Sequence, residues 1–118
     1  MIIVFSTQFQ AAGQICEFIK KNSNHSIIRA SNINTIGVLV RHNVPDLVFL
    51  FAPDEASAAI ELQNYLREKY SSIIVRILPA NHDGFLLDNI WEKVVSLALK
   101  QYESRKNKST DHTTGEAQ

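Results

Sequence analysis

From Leu47 to Phe51 five apolar residues follow one another without a polar interruption. A strand wet on one face alternates apolar and polar positions, so this run predicts a strand covered on both sides. Asn43 and Pro45 close whatever precedes it, and Pro53-Asp54 stops it. Asp54 is a good N-cap for a following helix, with Glu55 favourable in its first turn. In that helix, through about Tyr70, Ala59, Ile60, Leu62 and Leu66 are expected inward, with Glu61, Arg67, Glu68 and Lys69 in water. A buried strand feeding an amphipathic helix is half of a parallel β-α-β unit.

The same rhythm runs along the rest of the chain. Ile2-Ile3-Val4-Phe5 is apolar and mostly β-branched, a second buried strand, and the segment to about Asn22 puts Phe9, Ala12, Cys16 and Ile19 at helical spacing. Ser26 to Ala30 reads as a strand. Asn34 to His42 reads as a helix capped by Asn34, with Ile36, Leu39 and Val40 inward, although Gly37, Val38 and Val40 also suit a strand. The helix is preferred because parallel strands need a crossover and no other segment can supply it. Ile73 to Leu78 is the fourth strand. Asp83 is a candidate cap for a last helix whose apolar stripe would be Leu87, Ile90, Trp91, Val94, Ala98 and Tyr102. Beyond Tyr102 the chain is polar, and residues 103–118 are expected to form a disordered tail after a single domain over residues 1–102.

Four strands each followed by a helix predict an α/β fold: a three-layer α/β/α, Rossmann-like or flavodoxin-like arrangement with a mostly parallel sheet. The expected strand order is 2-1-3-4, reversing beside strand one.

Composition narrows the chemistry. The 118 residues carry 12 basic and 12 acidic side chains, a balance that argues against binding polymeric nucleic acid. With Cys16 the only cysteine, no intramolecular disulfide is possible, and no Cys/His cluster has zinc spacing, so neither metal nor cofactor is expected. The opening residues lack a signal-peptide plan and no apolar run is long enough to span a membrane; a cytoplasmic domain is the expectation. Neither a dinucleotide-binding nor a nucleoside-triphosphate glycine loop is present.

Ligands of open parallel sheets bind beyond the carboxyl ends of the strands, near the order reversal. There the sequence offers Ser6, Thr7 and Gln8 after strand one, Asn32 after strand two, Asp54 and Glu55 after strand three, and Asn81 and His82 after strand four. Ser6, Thr7, Gln8, Asn32 and Asn81 are the candidate ligand-binding residues, and His82 is the candidate acid. The competing explanation is that such residues are ordinary caps and turn formers. Asp54 and Glu55 are able to hold a divalent cation, but as a helix first turn they are explained without one. Cys16, on the inward stripe, is read as core.

The stretch from Thr35 to Leu99 carries T-I-G-V-L-V-R-H-N-V-P-D-L-V-F-L-F, then a helix ending L-R-E-K-Y, then I-I-V-R-I-L-P-A-N-H-D-G-F-L-L-D-N-I-W-E-K-V. It resembles CARF domains, the CRISPR-associated Rossmann-fold sensors of cyclic oligoadenylate. The resemblance implies a homodimer with the nucleotide on its axis, faced by Ser6, Thr7 and the Asn81-His82 loop, and metal-independent ring cleavage as an associated activity in antiviral defence. The chain departs from that family in its size, in an extra helix-strand pair before the matching region, and in Asp54-Glu55 where a phosphate would approach. V-P-D-L-V also resembles the third strand of response-regulator receiver domains. Phosphotransfer fails residue by residue: Ser6 and Thr7 stand where a receiver has acids, Phe51 and Ala52 where it has the phosphate-accepting Asp, and no fifth strand carries the usual Lys. That resemblance implies a degenerate receiver that docks a partner protein.

Overall fold

The computed structural model describes the backbone of residues 1–117 and the side chains of residues 1–105. Its elements are β1 (Ile2–Ser6), α1 (Phe9–Asn22), β2 (Ile27–Ala30), α2 (Ile33–His42), β3 (Leu47–Phe51), a 3-10 turn (Pro53–Glu55), α3 (Ala56–Lys69), β4 (Ile74–Ile77) and α4 (Ile90–Ala117). The strands form one sheet in the order β2-β1-β3-β4, and every pairing is parallel. This is the expected α/β arrangement, consistent with a Rossmann- or flavodoxin-like fold. No helix among the described residues is long and apolar enough to cross a membrane.

The two unbroken apolar runs take the two central places. β1 and β3 pair from Ile2 opposite Leu47 to Ser6 opposite Phe51, and every residue of both is buried. Alternate side chains serve opposite faces. Val4, Phe49 and Phe51 pack with Ile15 and Ile19 of α1 and with Trp91, Val95 and Leu99 of α4. Phe5, Val48 and Leu50 pack with Ile36 and Val40 of α2 and with Ala59 and Leu66 of α3. Helices therefore cover both faces, which is why neither strand alternates.

Residues 33–42 are helical, as the crossover argument requires, but the cap is Asn32, two residues earlier than the expected Asn34. Asn32 Oδ1 accepts the Asn34 N–H at 2.9 Å. Replacing a capping Asn by Ala costs about 1 kcal/mol; Asn32→Ala is expected to lower stability by that amount in urea unfolding, with nucleotide additions making no difference.

Three inward faces differ from the expected ones. In α1 the buried stripe is Ala11, Ala12, Ile15, Cys16 and Ile19, while Phe9 is 81% exposed. Phe9 opens the helix above the end of β1, where no sheet lies beneath it, and the Arg29 guanidinium covers its ring at 4.7 Å from the centroid. In α3, Ala59 and Leu66 are buried and Ile60 is exposed, because the 3-10 turn intervenes and α3 starts only at Ala56. Asp54 is consequently not its cap. In α4 the buried line runs through Trp91, Val95, Ala98 and Leu99, and Ile90 is exposed. Asn89, at φ 67, turns the chain sharply into that helix, and Asp83 lies too far upstream to cap it. Past Tyr102 the α4 backbone continues as helix through Ala117, across most of the polar segment whose composition suggests disorder.

Candidate functional site

The link between β4 and α4 folds back on itself at the carboxyl end of the sheet. The Asn81 N–H bonds the Phe85 carbonyl at 2.8 Å, and Ala80 bridges Leu86. Gly84, at φ 85, makes the reversal, a conformation that a side chain would strain. Leu86 turns into the core, which leaves its neighbour Phe85 facing out, 61% exposed.

The polar residues at this end are spent on local structure. Ser6 is 3% exposed, and its Oγ accepts the Gln8 N–H at 3.0 Å. Thr7 Oγ1 donates to Asp54 Oδ1 at 3.0 Å, tying the end of β1 to the turn after β3. Gln8 Nε2 donates to the Gly84 carbonyl at 2.6 Å, tying the same end of β1 to the β4–α4 link. Asn81 Oδ1 accepts the N–H groups of Asp83 and Phe85 at 2.9 and 3.0 Å, an Asx turn. The His82 side chain is 90% exposed, with Nε2 at 3.6 Å from Asp83 Oδ2.

The six candidates do not share one hollow. Gln8 and His82 line a shallow depression of about 370 Å³ together with Asp54, Asp83 and Phe85. Asn32 lines a different one, beside Ile28, Val38 and Leu39 between β2 and α2. Ser6 is buried and lines neither of these depressions. The expected meeting of Ser6, Asn32 and His82 is thus corrected: the order reversal sets β2 on the far side of β1 from β3, so Asn32 and His82 stand at opposite sides of the tip. Asp54 and Asp83 also give the Gln8–His82 depression the sign that repels a phosphate.

Cys16 is buried, as expected of core, and burial pushes its thiol up, away from nucleophilic reactivity. No group of three or more metal-ligating side chains exists among the described residues.

What stands open at this end is bordered by exposed aromatic rings, with Gln8, Gln10, Gln14 and Asp88 also in the lining. Between the first turn of α1 and the β4–α4 link lies a hollow of about 470 Å³, with Phe9 and Phe85 on its rim and Ala11, Leu86 and Trp91 among its lining. Sequence reasoning gave Phe9 to the core and Phe85 no role. The available signal was position: an aromatic residue at the first helical position after a strand overhangs the end of the sheet. No protein-family model matches the chain, and no curated protein or solved structure matches it significantly.

Proposed function

We propose that this protein is a non-catalytic, receiver-like docking module that captures an apolar side chain of a partner protein between Phe9 and Phe85. The observation that carries the reading is the exchange of chemistry at the sheet's carboxyl end. The hydroxyl and amide groups there are consumed by turns, caps and loop ties, whereas two large aromatic rings border an unfilled hollow. Isolated exposed apolar residues are ordinary. Two that flank one hollow, with Trp91 in its lining, resemble an anchor site, because a few residues packed into pockets, aromatic ones prominent among them, carry most of the binding energy at protein interfaces.

Against the cyclic-oligoadenylate reading stand the buried Ser6, the separated Asn32 and the carboxylates of Asp54 and Asp83. The readings part in a melting experiment. A nucleotide that binds the folded state at a hundredfold excess over Kd adds about 2.7 kcal/mol. Cyclic tetra- and hexa-adenylate are expected to leave the melting temperature unchanged; a rise with either would restore the sensor reading. In a second arm, a random peptide library is selected on the protein and counter-screened on the Phe9→Asp, Phe85→Asp double variant. Binders with an apolar or aromatic anchor that lose the variant are expected. Binders that hold it equally well would place docking elsewhere.

A further inference from the structure

Over the outer edge of β4, donors outnumber acceptors. The Val75 carbonyl accepts from Arg76 Nη1 at 2.9 Å, and Arg67 Nη2 and Gln63 Nε2 each approach it at 3.4 Å. One carbonyl oxygen has two lone pairs, so three donors cannot all be well served, and the two long contacts are the loose ones. The other arm of Arg76 donates to Gln101 Oε1 of α4 at 2.7 Å. Among the described residues, no carboxylate lies within 4.0 Å of Arg67 or Arg76.

Burial, and then the nearby charges of Arg67 and Arg105, lower the Arg76 pKa. Arg67 of α3 and Arg76 of β4 thus meet over one carbonyl, and Arg105 follows one helical turn after Gln101, the α4 residue that Arg76 bonds. Arg67 and Arg105 are exposed, and Leu97, one turn before Gln101 on α4, is 66% exposed beside them. Val75 itself is fully buried in the core layer that β4 shares with α2 and α3, and its carbonyl is already taken by these side chains.

We infer that Arg67, Arg76 and Arg105, with Leu97 at their border, bind an acidic segment of a partner protein. The exposed Arg67 and Arg105 guanidiniums are planar forks that fit a carboxylate, with such charge-assisted pairs the strong ones, while Arg76, both of whose arms are held by Val75 and Gln101, adds its charge beneath them. The cluster straddles three elements on an open surface instead of lining an enclosed cradle. That layout suits several carboxylates on one chain better than a single small ion, and Leu97 offers contact to an apolar residue among them. The surface lies apart from the Phe9–Phe85 hollow, and the inference holds or fails without it.

The test uses a fluorescein-labelled short peptide alternating Glu and Leu, and its counterpart with Gln for Glu, read by anisotropy against the full chain. The Glu peptide is expected to bind about tenfold or more tightly than the Gln peptide, and to weaken as salt rises. Arg67→Gln and Arg105→Gln, both at exposed positions, are each expected to weaken it several-fold while circular dichroism and the melting temperature stay unchanged. Millimolar inorganic phosphate is expected to compete no better than chloride of equal ionic strength. Equal binding of the two peptides, no loss in either variant, or complete displacement by phosphate would overturn the proposal, the last by showing a small-oxyanion site.

Discussion

Phe49→Ala is expected to unfold a large fraction of the molecule's stability in a single step. Phe49 sits at the middle of β3, opposite Val4 on one side and Arg76 on the other, and has no exposed surface. Its ring belongs to the layer shared by α1 and α4, where Ile15, Trp91 and Val95 close over it. Truncating a buried Phe costs about 3–5 kcal/mol, through lost transfer energy and the cavity left behind. A domain of this size has about 5–15 kcal/mol in total. The melting temperature should fall by about 15 °C or more, with the urea midpoint moving in parallel. Phe9→Ala supplies the contrast. The same side chain, deleted from an exposed position, loses only its contact with Arg29 and should cost less than about 1 kcal/mol. Similar losses at the two positions would mean that the Phe9 ring is packed and the proposed anchor hollow is closed.

That pair of phenylalanines also marks how far the sequence could be read. β1 and β3 were legible because unbroken apolar runs have one cheap solution, a strand covered on both faces, and the order β2-β1-β3-β4 follows from right-handed crossovers between them. Helix faces were less legible. Phe9, Ile60 and Ile90 each satisfy the helical period, yet each lies within the first turn or so of its helix, where the period says nothing about whether a sheet lies underneath. The ligand candidates do not gather in one hollow for a different reason. Ser6, Asn32 and Asn81 are the residue types that bind phosphates and also the types that cap and turn the backbone, and the nearer N–H group has them. Thr7 to Asp54 and Gln8 to Gly84 join positions 47 and 76 residues apart, so no local pattern announces them. The crowding of Arg67 and Arg76 on one carbonyl is likewise a product of tertiary packing, visible only once α3 lies against β4.

Ser6→Asp asks whether the tip retains any capacity for the acidic, metal-holding chemistry of a receiver. Here the side chain is buried, its one polar partner is the Gln8 N–H, and the nearby carboxylate of Asp54 is already engaged by Thr7. An ionised carboxylate in that position loses water and gains a single hydrogen bond, at a cost of about 3–5 kcal/mol at neutral pH. Ser6→Ala, which only orphans the Gln8 N–H, should cost about 1–3 kcal/mol. The two variants are separated by pH. Burial raises the folded-state pKa of the new acid above its unfolded value of about 4. Between those values the folded form holds the extra proton, so stability falls as pH rises through the window. The Ser6→Asp deficit should therefore be full at pH 7 and shrink as pH drops toward 4, whereas the Ser6→Ala deficit stays flat. Urea unfolding at both pH values, with and without magnesium, measures this. Magnesium is expected to do nothing, because Asp54 is engaged by Thr7 and no group of three or more metal-ligating side chains exists among the described residues. Recovery of the Ser6→Asp variant by magnesium would instead reveal a dormant receiver site one substitution from function, and the docking reading would lose its physical ground.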